Sequence, residues 1–600
     1  MLNHLDLELL LKVPYVDPDL GFDISPSGSI AAFSWNLNGR WEIYLGDLDK
    51  EQKPRQVTSG EGAKFAPRWS PDGTQLAYIL DSDGSENYDI FTFDMASGEH
   101  RNLTPDSPYA IMPAYDWSPD GKWLAFCSDR DGRFDTYLMA ATGGQVRKVL
   151  DQPHPDYQVR WSPDGSLLAV VVEGAGQDFW TYLVPLEGFN SYRITIDGEP
   201  IPAKDACWSH DGQQLAFSSN LSGNFEIGIY EINTRSIRWV SEGHGEKESP
   251  DWSSDGRLAY ITNHGPKSEL TIQMIKTGET STFQIEPGVI YSPKFDRRGE
   301  KVFFVFDNPR HPDDLCSYSL TNRMVKQISH SLPESIDRKT LSMPEEVIYP
   351  SLDGSEVPAL LYQPTTKLDL PPAVIYIHGG PNWLTQITWD PLVQHMVSRG
   401  WVVLAPNYRG STGYGREWQL ASRFDFGGVD TADVAAGADF LTSHRIADPN
   451  KIAITGRSWG GYLTMTCLTQ YPERWRAGSA VVPFLNWFTG HANSREDLQH
   501  WDLENFGDPE KDQELWYERS PFFFLERIQA PVQLICGAHD VRCPESESTR
   551  ANEQLTNLGK VCEYILYPDE GHSFLKVENQ VKSKQQQVDF LEKHLELDNI

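Results

Sequence analysis

The residues with the clearest chemical purpose are Gly456-Arg-Ser458-Trp-Gly460, a serine held between two glycines. A serine hydroxyl is a poor nucleophile until a base takes its proton, and a sharp glycine-flanked turn lifts it clear of a sheet edge. The pattern alone is a weak signal. Its surroundings strengthen it: an apolar run over 451–455 reads as a strand leading in, and 462–471 reads as a helix leading out. With a chain order of nucleophile, acid and base, the partners lie downstream. Asp540 follows the strand-like Pro531-Val-Gln-Leu-Ile-Cys-Gly537, and His572 follows a run at 561–566, just before a C-terminal helical stretch. In these roles Asp540 fixes the imidazole tautomer, His572 moves the proton and Ser458 is acylated. Asp569, three residues before His572, is an alternative acid, whereas His539 adjoins Asp540 too closely for the two to face each other. Donors for a developing oxyanion are expected from the N–H of Gly380, in His378-Gly-Gly-Pro381, and from the N–H of Trp459.

These groups need a scaffold that gathers residues about a hundred positions apart at one edge. Past residue 340, apolar runs at 373–377, 401–404, 452–455, 479–482 and 532–535 alternate with helical segments. One of these, 431–443, puts Val434, Ala435, Ala438 and Leu441 on one face, with Asp430 available as its cap. Such alternation implies a mostly parallel sheet with helices on both faces.

Ahead of it lies a repeat. Trp69-Ser-Pro-Asp-Gly73 returns at Trp117, Trp161, Trp208 and Trp252, with weaker copies at Ile24 and Phe295. The glycines Gly28, Gly73, Gly121, Gly165, Gly212, Gly256 and Gly299 step by 43 to 48 residues, which makes seven units of one propeller blade each. In five units a second glycine stands eleven residues on, and the runs around the two read as strands of an antiparallel meander. The tryptophans read as core and the glycines as turns. Asp129-Arg-Asp131-Gly132 and Asp81-Ser-Asp83-Gly84 faintly resemble calcium loops, but they recur at one hairpin position and lack the EF-hand spacing.

Composition narrows the function classes. The net charge is −33, and it is spread: residues 1–342 carry 31 basic and 50 acidic groups, and residues 343–600 carry 21 and 35. Neither part offers a phosphate-neutralising surface, so no nucleic-acid partner is expected. No apolar run approaches the ~18 residues of a membrane span, and Met1-Leu-Asn-His-Leu-Asp-Leu-Glu lacks the basic start of a signal peptide. No membrane association is expected, and residues 1–20 read as a short helical segment docking on the C-terminal domain. Seven scattered cysteines, without Cys-x-x-Cys or His-Glu-x-x-His, indicate no metal site and no disulfide framework. The expectation is a cytoplasmic protein without a cofactor, and a homo-oligomer is admitted.

Taken together, Gly456-Arg-Ser-Trp-Gly-Gly-Tyr462, Asn407-Tyr-Arg-Gly-Ser-Thr-Gly-Tyr-Gly415, Ser520-Pro-Phe and Asp540-Val-Arg542 resemble the signature stretches of the prolyl oligopeptidase family of serine peptidases. The resemblance implies an all-β seven-bladed propeller over 21–340 and an α/β-hydrolase catalytic domain over 341–600. His378-Gly-Gly-Pro looks like the acylaminoacyl-peptidase branch, because the prolyl oligopeptidase and dipeptidyl-peptidase branches place a tyrosine where His378 stands. No paired-glutamate motif of the dipeptidyl-peptidase kind is found in the propeller. The resemblance further implies that Arg542 binds a substrate carbonyl or carboxylate, with a structural ion pair as the other reading. It implies a specificity pocket lined by Trp459, Tyr462, Phe484, Trp487 and Phe488, which favours an apolar P1 side chain, although the same residues also suit a core. The leading expectation is a peptidase that releases a terminal, N-acylated or free, residue from short peptides. An esterase or small-molecule amidase using the same triad, and a propeller interaction module with a vestigial hydrolase, are the alternatives.

Overall fold

The structure, a computed structural model, describes residues 4–50, 52–105, 107–188, 190–366 and 368–596. Two compact units divide it. Pro14–Ser82 and Glu86–Pro333 form one, and Glu334–Ile600 forms the other together with the N-terminal segment to Val13 and the residues Asp83–Ser85.

The first unit is built on seven four-stranded antiparallel sheets, one for each copy of the repeat, with a small two-stranded sheet (Thr195–Ile196 with Glu199–Pro200) beside them in sequence. The local reason is the turn between the first two strands of each sheet. Gly73 sits at φ +71° and donates to the Ser70 carbonyl at 2.9 Å, and the Ser70 hydroxyl donates to Asp72 at 2.7 Å. The repeat glycines of all seven units lie between +66° and +86°. The aromatic that opens six of the seven turns is buried, Trp69 at 7 % and Trp252 at 6 % exposure, while Ile24 at the first is half-buried, so one short motif supplies both a hairpin and a core side chain.

Two features unite the blades that the repeat alone does not reveal. The first closes single blades. Thr58 accepts the Ile43 N–H (2.8 Å) and donates to Glu42 (2.5 Å), and the same acid–hydroxyl latch recurs as Thr104–Asp89, Ser241–Glu226 and Ser329–Asp314. Buried Lys64 and Lys247 neutralise Glu42 and Glu226 at 3.1 and 3.0 Å. The second joins blade to blade. The residue before the side chain that opens each turn is Asp23, Arg68, Asp116, Arg160, Cys207, Asp251 and Lys294 in turn. Charge alternates around this series, and an odd number of positions leaves one neutral member, Cys207. Asp23, Asp116 and Asp251 accept the backbone N–H of Trp69, Trp161 and Phe295 at 2.9, 2.9 and 2.7 Å. Lys294 of the last blade reaches Asp23 Oδ1 (3.4 Å) and the Phe22 carbonyl (3.0 Å) of the first.

The second unit is built on one eight-stranded sheet: β1 (Glu345–Pro350), β2 (Glu356–Tyr362), β3 (Ala373–Ile377), β4 (Val402–Pro406), β5 (Ile452–Arg457), β6 (Ala477–Val481), β7 (Val532–Gly537) and β8 (Cys562–Tyr567). The spatial order is β1-β2-β4-β3-β5-β6-β7-β8; β2 pairs antiparallel with β1 and β4, and the remaining pairs are parallel. Because side chains alternate across a strand, Ile375 and Ile377 of β3 enter one core and Val374 the other. Helices Val429–Ser443 and Trp459–Gln470 cover the first core, and helices Pro391–Ser398 and Val577–Leu595 cover the second. This is the α/β-hydrolase arrangement. The N-terminal helix Leu7–Leu11, capped by Asp6 on the Leu9 N–H at 2.7 Å, buries Leu7 in the second core.

Two helix boundaries differ from the sequence reading. The helix expected at 431–443 begins at Val429 with Gly428 as its N-cap, so Asp430 lies inside its first turn instead of capping it. The helix expected from 462 begins at Trp459, directly after the serine, because the elbow leaves no linker between strand and helix. No described helix is long and apolar enough to cross a membrane.

Candidate active site

Ser458 leaves β5 at φ +58°, ψ −121°, outside the regions an L-residue ordinarily occupies, a strain of about 1–3 kcal/mol that the surrounding packing must hold. The packing is specific. A Cβ on Gly456 would stand 2.4 Å from the Gly460 carbonyl oxygen, and one on Gly460 would stand 2.3 Å from the Ile377 carbonyl oxygen. Both glycines are therefore required for β5, the following helix and the end of β3 to meet this closely.

β7 and β8 bring the other two groups. Asp540 follows β7; its Oδ1 accepts the N–H groups of Arg542 (2.9 Å) and Cys543 (2.8 Å), which leaves Oδ2 to take His572 Nδ1–H at 2.8 Å. His572 follows β8, and its Nε2 accepts the Ser458 hydroxyl at 3.0 Å. Asp540 and His572 are 7 % and 6 % exposed, so this relay lies largely out of water. Asp569 is not part of it: its carboxylate pairs with Lys576 and Asn579 on the surface, and Lys576 holds its acid below the usual range. His539 turns its backbone N–H to the Glu570 carbonyl at 2.9 Å.

The loop after β3 carries Gly380, one of the two residues expected to donate to an oxyanion. The backbone of Gly379 lies against the serine, since a Cβ there would be 3.4 Å from Ser458 Cβ. His378 Nδ1 donates to the Gly379 carbonyl at 2.7 Å, and the Ser411 hydroxyl lies 2.9 Å from Nε2. Carbonyl and N–H of one trans peptide point in opposite directions, so fixing the Gly379 carbonyl on the imidazole aims the Gly380 N–H away from it. Neither the Gly380 nor the Trp459 N–H has an acceptor among the described residues. Burial pushes His378 down to about 4, which keeps its ring neutral.

The aromatic residues assigned to a specificity pocket separate into two groups. Tyr462 and Trp487 are 0 % and 2 % exposed, and neither has surface to present to a substrate. Tyr462 Oη donates to the Arg519 carbonyl (2.7 Å), lies 3.1 Å from that of Phe426, and accepts Trp487 Nε1–H at 3.1 Å. A buried phenol and indole with these partners are structural, which corrects the pocket reading for this pair. Trp459 is nearly buried too, edge-on to Phe426 at 4.8 Å. Phe484, stacked on Tyr462 at 4.5 Å, and Phe488 keep part of their surface. Arg542 is exposed beside Asp540.

Three residues escaped the sequence reading. Arg457, the variable position of the serine motif, donates through Nη2 to the His572 carbonyl. Glu570 accepts the N–H groups of Leu575 (2.7 Å) and Lys576 (3.2 Å) and the Asn579 amide (2.7 Å), closing the histidine loop onto the last helix. Tyr408 donates to the His378 carbonyl at 2.9 Å. Only Tyr408 carried a signal, as part of the stretch 407–415.

A serine, an imidazole and a carboxylate in series at the strand ends of an α/β-hydrolase sheet, in a chain that also carries a seven-bladed propeller, define a serine hydrolase of the propeller-bearing kind. Residues 388–598 match the prolyl oligopeptidase family model, and residues 14–181 match that of the TolB beta propeller domain. The C-terminal unit thus carries a prolyl oligopeptidase family domain, and the protein is a serine-type peptidase. It is 24 % identical to dipeptidyl-peptidase 5 of Porphyromonas gingivalis over 96 % of this chain and 93 % of that one. It is 29 % identical to the acylamino-acid-releasing enzyme of Rattus norvegicus over 42 % of this chain and 35 % of that one. Among solved structures, puromycin hydrolase superposes with a TM-score of 0.86 at 20 % identity, covering 98 % of this chain and 96 % of that one.

Proposed function

We propose that the protein hydrolyses short peptides through an acyl-enzyme on Ser458, releasing a terminal residue with an apolar P1 side chain. The observation that carries this reading is His572, with one ring nitrogen on Ser458 at 3.0 Å and the other on Asp540 at 2.8 Å. His572 Nε2 takes the hydroxyl proton as Ser458 Oγ attacks the scissile carbonyl, and Asp540 balances the imidazolium that forms. The Gly380 and Trp459 N–H groups receive the oxyanion. His572 then protonates the leaving amine, and water, activated by the same ring, releases the acyl group. Phe484, half-buried beside Trp459, and the half-buried Phe488 favour an apolar P1 group.

The likeness to an acylamino-acid-releasing enzyme and to a dipeptidyl peptidase leaves the amine end of the substrate to experiment. Matched p-nitroanilides, acetyl-Phe, free-amine Phe, acetyl-Ala and a blocked dipeptide, distinguish the cases, with Ser458→Ala as control. Preference for acetyl-Phe supports release of N-acylated residues, preference for the free amine moves the reading toward an aminopeptidase, and preference for the blocked dipeptide moves it toward an endo-acting oligopeptidase. Peptide hydrolysis that survives Ser458→Ala would falsify the mechanism; cleavage of a p-nitrophenyl ester but no anilide would make the enzyme an esterase.

A further inference from the structure

The serine motif contains a side chain that the acyl-transfer chemistry does not use. Arg457 is the last residue of β5, its backbone fixed in register opposite Val481 of β6 and its peptide bonded directly to Ser458. Its guanidinium donates to the backbone carbonyl of His572 and, at 3.3 Å, to the Ser573 hydroxyl. Burial costs this cation hydration, and the Asp540 carboxylate is its main compensating charge, with Tyr376 and Cys543 contributing and Arg542 opposing. An arginine desolvated in this way, in the variable position of a glycine-rich turn, is held for its contacts.

We propose that Arg457 is a positioning residue that couples the nucleophile to its base. The inference rests on the acyl-enzyme reading above. The histidine loop leaves β8 and re-enters helix Val577–Leu595; the Glu570 side chain pins its helix side through the Leu575 and Lys576 N–H groups, and the Glu570 carbonyl ties its strand side to the His539 N–H. The backbone of His572 itself is held by Arg457. One residue therefore sets both ends of the Ser458–His572 distance, the serine through its peptide bond and the imidazole through its own carbonyl. Two N–H donors in a rigid plane suit the carbonyl and the hydroxyl together; the ammonium of a lysine reaches less far and is less directional.

A misplacement of about 1 Å at a reacting pair costs about 10²-fold in rate, so Arg457→Met is expected to lower kcat by about that factor and leave KM for a peptide anilide within about twofold. Arg457→Lys is expected to fall between the two. Guanidinium added well below denaturing concentration should restore part of the kcat of Arg457→Met but nothing to Ser458→Ala. Thermal melts of both variants establish that they are folded, and if Arg457→Met is not, Arg457→Lys decides alone. Native kcat in the folded variants, or a rise in KM with kcat unchanged, overturns the proposal, the latter because it would make Arg457 a substrate contact. Ser458→Ala in the same assay keeps the two readings apart: activity there overturns the acyl-enzyme mechanism, whereas an inactive Ser458→Ala beside a fully active Arg457→Met overturns only the role of Arg457.

Discussion

The imidazole of His378 lies flat on the ring of Tyr408, 4.3 Å between centres and 10° from parallel, and Tyr408 returns its hydroxyl to the His378 carbonyl at 2.9 Å. The pair fixes the loop that carries Gly379 and Gly380 from both sides of one residue. Tyr408→Phe keeps the stack and removes the hydroxyl. Oxyanion donors act only in the transition state, and losing one outright costs 10²–10³-fold in kcat. Loosening its support should therefore cost about tenfold in kcat with little change in KM. Steady-state kinetics on one anilide measure this, and an unaltered kcat would mean that the loop is held without Tyr408.

The elbow tolerates no side chain at Gly460. A methyl group there would meet the carbonyl oxygens of Ile377 and His378 at 2.3 and 2.8 Å, both backbone atoms that cannot step aside. Gly460→Ala should destabilise the catalytic unit by about 2–4 kcal/mol. Gly490→Ala is the matched control, since its nearest neighbour atoms stand at 3.7 Å. Equal melting temperatures for the two variants would show that the close approach is not what requires glycine.

Asp430 makes stability depend on pH in an unusual direction. Its Oδ1 accepts the N–H groups of Gly427 and Thr431 at 2.8 Å each, while Oδ2 is buried without a partner among the described residues. Burial pushes the acid up to about 8, and Asp425 and Asp433 add to the rise. A folded value above the unfolded one means that the native state holds the proton longer. The resulting stability is full below the ordinary carboxylate range near 4 and is lost as pH rises through about 8. Asp430→Asn cannot lose that proton. Its melting temperature relative to the native protein should therefore climb between pH 5 and pH 9, by several degrees in total. A pH-independent difference would contradict a buried, protonated Asp430.

Burial also raises all seven thiols above their ordinary value: Cys127, Cys207, Cys316, Cys467, Cys536, Cys543 and Cys562. The thiolate is the reactive form. Iodoacetamide at pH 7.5 should leave the folded protein unmodified by mass spectrometry and retain its activity, and label every cysteine after unfolding. Rapid labelling of Cys543, the one beside the triad, would show an accessible thiolate there.

Local chemistry made much of this molecule legible before any coordinates. Seven turn glycines at positive φ mark seven hairpins, because only a residue without a Cβ adopts that backbone freely, whereas the glycines around Ser458 are required by the close approach of neighbouring backbone. The order serine, acid, histidine follows from loops at successive strand ends, and strand identity from apolar runs of strand length. These are properties of a residue and its covalent neighbours. Other features needed the tertiary structure. Which of Asp540 and Asp569 reaches His572 depends on β7 and β8 lying side by side, 32 residues apart in sequence for Asp540 and His572. That Tyr462 and Trp487 belong to the core, while Phe484 and Phe488 keep surface, was decided by helices packing over them, since an aromatic side chain suits a core and a pocket equally well. Arg457 carried no sequence signal, because its partner is a backbone carbonyl 115 residues away. The pairing of Lys294 with Asp23, likewise, exists only because the seventh blade returns to the first. A motif records the conformation its own residues require; which distant group a side chain meets is settled by the packing of the whole chain.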